Sequence, residues 1–284
     1  MITSPLHGTH RPTEEFPVVQ RSGIRLARVM AQLGIGVMAD IGQRAYFLRD
    51  TVRAFATEAR TYVPLTAAQM RRIGVDSLPL TAIVAAFIGS VIALQTRYQL
   101  FPGVQLSVVG LISRQMIILE LGPLLTGLVL TGRVGARMTA EIGTMRVTEQ
   151  IDALETLAYD PVAYLVVPRL IAATLMLPLL VVFANAVGVT TAFFTSVTAT
   201  DVTWQQFSEG LRLSYTFFQI AYSLIKATIF GMAIAFLCSF EGYVTDVGAE
   251  GVGRSTAKAV VVTSVAILVL DALTASLLAT QLQG

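Results

Sequence analysis

The sequence predicts an all-α integral membrane protein. One amphipathic helix lies at the membrane interface and five membrane-spanning helices follow, with the N-terminus inside and the C-terminus outside. Three observations predict this. The chain of 284 residues is 54% hydrophobic and only 13% charged, about half the charge fraction of an ordinary soluble domain. Its apolar residues come in long runs, and a bilayer crossing needs roughly 20 mostly apolar residues in succession. Ten of its twenty Lys and Arg residues precede residue 75, ahead of the first long run, which marks the inner side of a membrane. These arginines are diluted by apolar neighbours, so they form no nucleic-acid patch.

Residues 1–22 are polar and carry Pro5, Pro12 and Pro17. They are expected to form a disordered tail, and without an apolar core they are not a cleaved signal peptide. Residues 23–60 form the interfacial helix region. Leu26, Met30, Leu33, Val37, Ile41, Ala45, Leu48, Val52, Phe55 and Ala59 recur at steps of three or four, as on one helix face. Arginines on the other faces suit anionic lipid.

Residues 61–284 form the transmembrane domain. The spans are expected at about Leu78–Gln95, Leu106–Leu130, Val162–Val197, Tyr215–Phe240 and Ala259–Leu278. The third is long enough to tilt, to kink at Pro168 or Pro178, or to project from the bilayer. On the outer side, Thr200–Arg212 reads as a surface helix capped by Asp201 or Thr203, with Trp204 at the interface. Ala85 with Gly89, Ala184 with Gly188, and Gly231 with Ala235 are small-residue pairs that permit close helix approach. Cys238, the single cysteine, is expected as a small buried apolar residue.

Charges inside the spans are the candidate functional residues, because each costs several kcal/mol unless it is paired or faces water. Glu120 falls near the middle of the second span and Lys226 near the middle of the fourth. The economical arrangement turns both towards an interior cavity and each other. Arg114 and Asp271 lie nearer the outer side, where a long side chain can reach the interface. Between spans two and three, Ala140–Ala158 reads as one amphipathic inner helix. Its apolar face is Ile142, Met145, Thr148, Ile151, Leu154 and Leu157. Glu141, Arg146, Glu149, Asp152 and Glu155 lie over the rest, a pattern suited to docking in a partner's groove.

Other motifs carry little. Gly248–Ser255 reads GxxxxGRS, but it lacks the phosphate-binding lysine and the strand–loop–helix setting of a nucleotide loop, so a flexible inner loop is expected there. His7 and His10 sit in the tail, where a metal site is not expected. No nucleophile–base set or Cys/His cluster is present.

Together these residues resemble the MlaE/YrbE permease family, the membrane subunits of ABC-type lipid transporters that work with MCE proteins. The resemblance runs from about Ala39 to the C-terminus. It is densest in ELGP (Glu120–Pro123), in GRVGARMTAEIGTMRVTEQIDALE (Gly132–Glu155), at Asp160-Pro161 and in PRL (Pro168–Leu170). It continues through FIG (Phe87–Gly89), Leu94-Gln95, LIK (Leu224–Lys226), EGY (Glu241–Tyr243) and Leu270-Asp271.

The resemblance implies a homodimeric permease in the cell inner membrane. Two ABC ATPase subunits would hold the ATP and magnesium, with no cofactor on this chain, and a periplasmic MCE protein would exchange phospholipid with a cavity at the dimer axis. By the same resemblance, the N-terminal stripe is an elbow helix. Glu120, Lys226, Leu94, Gln95 and Arg114 belong to the substrate cavity. The 140–158 segment is a coupling helix that meets the ATPase through Glu141, Arg146, Glu149, Gln150, Asp152 and Glu155. The sequence departs from the family at Leu119, where relatives carry arginine, and Arg114 is the expected substitute one or two turns away. Two alternatives come from other classes: a proton-coupled secondary transporter using Glu120, and a non-transporting membrane scaffold.

Overall fold

A computed structural model describes residues 38, 41–55, 63–246 and 248–282, with side chains as far as Leu277. The expected tail, the stripe from Leu26 to Val37, and Ala59 lie outside the described residues. The chain divides at Phe47–Leu48. Among the described residues of the first unit, 41–47 are helical; the architecture below is that of the second.

All regular structure among the described residues is helical. In chain order the helices are α1 (41–55), α2 (Val63–Ile73), α3 (Leu78–Gln99), α4 (Ser107–Gln115), α5 (Gly122–Leu130), α6 (Ala136–Val147), α7 (Gln150–Thr156), α8 (Pro161–Ala199), α9 (Trp204–Arg212), α10 (Phe217–Tyr243) and α11 (Ala249–Leu282). A 3₁₀ turn at Val75–Ser77 joins α2 to α3. Five helical stretches are long and apolar enough to cross a bilayer.

The spans depart from expectation mainly at their ends. The second does not stop near Leu130: π-helical turns at Met116–Leu121 and Thr131–Gly135 link α4, α5 and α6 into one path from Ser107 to Val147. The expected single inner helix over 140–158 is therefore two pieces. Its first residues belong to α6, and the chain breaks at Glu149, whose φ of 57° is left-handed. This break turns the expected apolar face. Ile142 and Ile151 are buried, but Thr148 and Leu157 are exposed, Leu157 to 68%.

The expected flexible loop at Gly248–Ser255 is instead the start of α11. Only Gly248, at φ 94°, keeps a turn conformation, and Ala249 opens the helix. The fifth span thus begins ten residues earlier than expected.

Local sequence explains the remaining starts. Asp160 accepts from the backbone N–H groups of Val162 and Ala163 at 2.9 and 3.3 Å, and Pro161 follows at the first helical position. Such an Asp-Pro pair caps orphan donors and presets φ. α8 then runs 39 residues through Pro168 and Pro178, roughly 58 Å at 1.5 Å per residue, well beyond the hydrocarbon core. Thr203 caps α9 in a capping box with Gln206. Ahead of it, Asp201 pairs with Arg97 at 2.6 Å, and that guanidinium holds the Asp201 carboxyl below its ordinary range.

Small residues set the helix contacts. A Cβ on Gly89 would lie 2.0 Å from the Gly188 carbonyl oxygen, so α3 and α8 meet backbone to backbone. A Cβ on Gly231 would lie 2.7 Å from the Ala173 oxygen, so α10 also approaches the backbone of α8, somewhat less closely. Phe230, Ile234, Ala235 and Cys238 of α10 are buried against Leu130, Val134 and Met138, with Ala173, Leu177 and Ile267 completing the core.

Candidate functional site: an ion cluster inside the spans

The first π-turn carries Glu120. Such turns insert a residue into the helical ladder and frequently mark functional positions. Pro123, just beyond, has no N–H to offer the Leu119 carbonyl four residues back. That carbonyl accepts from Lys226 Nζ of α10 at 3.3 Å. The ELGP sequence thus frees a backbone acceptor beside the carboxylate. Gly122 belongs to the same device: a Cβ there would lie 1.9 Å from Asn185 Oδ1 of α8.

Lys226 is fully buried and held between two carboxylates. Its Nζ lies 2.6 Å from Glu120 Oε2 and 2.8 Å from Asp271 Oδ1 of α11. Tyr222, one turn away on α10, donates from its hydroxyl to Glu120 Oε1 at 3.4 Å and sets its ring 4.8 Å from the ammonium. The Glu120 side chain is 45% exposed and that of Asp271 15%. The open side of the cluster is therefore the Glu120 carboxylate. One ammonium against two carboxyl groups leaves acceptor capacity on that side, suited to a polar or cationic group from outside.

Of the expected cavity residues, the structure brings Glu120 and Lys226 together. It adds Asp271, which the sequence reading left as a charge able to reach the interface. Asp271 is instead turned inward to share the amine. Arg114 is placed otherwise. It is buried, and its guanidinium donates to the Leu213 carbonyl at 2.8 Å and to Gln219 Oε1. It pins the entry of α10 to α4, so it is not the open substitute for a missing arginine at position 119.

Gln95 is exposed and lines a separate cavity of about 310 Å³ with Thr96, Gln99, Ile112 and Met116. Met116 is one turn before Glu120. Leu94 is half-buried and does not line that cavity.

α10 also carries a stripe the sequence reading missed. Gln219, Tyr222, Ser223 and Lys226 follow at steps of three, one and three, all buried. Ser223 accepts from Asn185 at 3.1 Å. The signal was available as polar residues at helical spacing within an apolar run. Their partners were not.

The structure divides the expected coupling residues. Glu141 turns into the chain, 2.9 Å from Arg137, 3.4 Å from Arg169 and 3.7 Å from Arg72, and so ties α6 to α8 and α2. Arg146 bridges the break to Asp152 at 2.7 Å and stacks on Tyr243. Glu149, Gln150 and Glu155 point to solvent, joined by exposed Leu157 and Tyr159. Buried Ile151 anchors α7 beneath them. Among the described residues no cluster of His, Cys, Asp and Glu could hold a metal; His7 and His10 lie outside them.

Comparison with known proteins supplies the family. The model of the permease MlaE family matches residues 66–277. A "Probable ABC transporter permease protein" of Rickettsia prowazekii is 41% identical over 218 residues, covering 73% of this chain and 80% of the relative. The "Intermembrane phospholipid transport system permease protein MlaE" of Haemophilus influenzae is 32% identical over 218 residues, with 75% and 82% covered. The chloroplastic protein "TRIGALACTOSYLDIACYLGLYCEROL 1" of Arabidopsis thaliana is 33% identical over 207 residues, with 72% and 59% covered. The matched region takes in Glu120, Lys226 and Asp271, and this chain belongs to the MlaE permease family and is the multi-pass membrane subunit of a transporter.

Proposed function

We propose that this permease moves phospholipid between the inner membrane and a periplasmic MCE protein, driven by ATP hydrolysed on a partner. The observation that carries the reading is the Glu120–Lys226–Asp271 cluster, open mainly through Glu120. Lys226 and Tyr222 meet this carboxylate from within, but its exposed side still favours a polar group at mid-span, and a headgroup entering sideways from the bilayer is such a group. The relative from Haemophilus influenzae, by name a phospholipid transport permease, supports the lipid class. Two copies of the chain would face each other across a shared lipid cavity that takes in the Gln95-lined cavity of each copy.

With leucine at 119 and Arg114 engaged elsewhere, the accessible group is an acceptor. Headgroups bearing ammonium or hydroxyl donors suit it. Energy would arrive from two ABC ATPases that hold ATP and magnesium and dock on the inner surface of Glu149, Gln150, Glu155, Leu157 and Tyr159. Glu141 and Arg146 would transmit that contact from within the chain. The lipid's preference for the open over the closed cavity sets the coupling.

The test is Glu120→Ala in the complex with its ATPase and MCE partners, reconstituted in phospholipid vesicles. Transfer of labelled lipid should fall about tenfold, the effect of removing one charged hydrogen-bond acceptor, while the ATPase still co-purifies. Wild-type transfer would reject the cavity role of Glu120.

A further inference from the structure

A basic pocket lies between α2 and the α6 end of the second span, away from the ion cluster. Buried Ile73, Val134 and Met138 form its floor, and Gln69, Arg72, Arg133, Arg137 and Glu141 form its rim. Each floor residue is preceded in the chain by an arginine. The apolar contact that packs α2 on the second span therefore carries the guanidinium groups to one edge. The cavity is about 30 Å³, room for roughly two waters. That is too small for an acyl chain, but it suits a compact polar group seated at the rim.

Its charge points to an anion. Three rim arginines face a single carboxylate, so two positive charges are unmatched. Arg133 is exposed, and among the described residues no ion pair or hydrogen bond engages its side chain. Glu141 is shared among Arg137 at 2.9 Å, Arg72 at 3.7 Å and Nη2 of buried Arg169 at 3.4 Å. Arg169 Nε is buried without a partner, so the fork of Nε and Nη2, which can take both oxygens of a carboxylate, is half used. Glu141 can settle on that fork and release Arg72 and Arg137 to a second acceptor.

Depth names the source of the anion. Arg133 follows Glu120 by thirteen residues along one helical path, roughly 20 Å at 1.5 Å per residue. From mid-span this passes the half-thickness of the hydrocarbon core, about 15 Å, and reaches the headgroup layer. Phospholipid phosphates stand there, and guanidinium groups match phosphate bidentately.

We propose that this pocket binds the phosphate group of a phospholipid headgroup, at a site distinct from the cavity of the transported lipid. The proposal requires only that the chain spans a bilayer, and it does not rest on the transport reading.

The test uses the full chain in its complex, in phosphatidylcholine nanodiscs doped with phosphatidylglycerol whose headgroup carries a diazirine. After irradiation, labelled peptides are mapped by mass spectrometry. Label is expected on residues 69–73 and 133–141. Diacylglycerol bearing the same diazirine has no phosphate and should label them far less. Arg133→Gln should lower the phosphatidylglycerol label about fivefold, the effect of one basic residue at a membrane surface. Arg254→Gln removes an equal charge from an exposed position on α11 and should leave that label unchanged, as should millimolar inorganic phosphate.

Equal labelling by diacylglycerol overturns phosphate recognition. Equal loss in the two variants overturns the pocket in favour of diffuse surface attraction. Competition by inorganic phosphate overturns the lipid source. Release of the partner ATPase by Arg133→Gln overturns the site by assigning its arginines to that protein. The diacylglycerol and inorganic phosphate arms use the unaltered chain, so they decide the site even if Arg133→Gln fails to assemble.

Discussion

Lys226 has no exposed surface and two carboxylates within 2.8 Å, so the members of the cluster are not equivalent. Removing the amine leaves Glu120 and Asp271 facing each other without a counter-charge. Breaking a buried pair in this way costs about 3–5 kcal/mol. Removing the Glu120 charge leaves Lys226 with Asp271, and Glu120 is itself half solvated. Lys226→Met is therefore expected to destabilise the detergent-purified protein by about 3 kcal/mol, and Glu120→Gln by clearly less. Unfolding curves of the two variants decide it, and an equal or reversed order would mean that Asp271 is not a true partner. Glu120 and Lys226 were legible in the sequence because a charge in an apolar run is conspicuous. Asp271 was visible but unassigned, since near a span end a charge can turn inward or outward and only the neighbour decides. Asn185, uncharged and isolated in an apolar run, raised no signal, whereas Gln219 belonged to a polar stripe at helical spacing that was legible but not read.

The small-residue pairs act at the scale of the helix. Ala85 with Gly89 and Ala184 with Gly188 were legible as spacings, and the structure sets them against each other. Gly89→Leu places a side chain where the Gly188 carbonyl stands, so α3 must move away from α8, and overpacking typically costs about 1–3 kcal/mol. Gly253→Ala meets nothing within 4 Å and should leave stability unchanged or raise it by up to about 1 kcal/mol through helix propensity. Thermal unfolding of the two variants separates packing from propensity, and comparable losses would reject the close α3–α8 contact. The π-turns at Met116–Leu121 and Thr131–Gly135 were not legible. An inserted residue alters the ladder without changing composition, so the second span read as ending where its charges begin. The break at Glu149 was hidden for a related reason. A glutamate favours helix and gives no hint that it will adopt a left-handed conformation, so the charged stretch read as one helix.

For the whole molecule, the exposed patch of α7 and the turn after it is the surface on which the proposed ATPase would act. Glu149→Lys reverses a solvent-facing charge without touching Glu141 or the Arg146–Asp152 bridge. It is expected to weaken ATPase docking by about 1 kcal/mol, read as a several-fold loss of ATPase co-purifying with the permease. Unchanged recovery would place the docking contact elsewhere.

The sequence by itself determined the membrane class, the five spans, the family and the two central charges. Apolar run length, the desolvation cost of charge and ordered motifs are properties of the chain read in one dimension. Tertiary structure alone decided that Asp271 shares the amine, that Arg114 is consumed in pinning α10 to α4, that Glu141 faces inward, and that a basic pocket forms between α2 and the second span. The physical reason is the same in each case. Pairing and enclosure depend on which helix faces meet, and in these spans that is set by close backbone contacts such as Gly89–Gly188 and Gly231–Ala173, between residues about 60 to 100 positions apart.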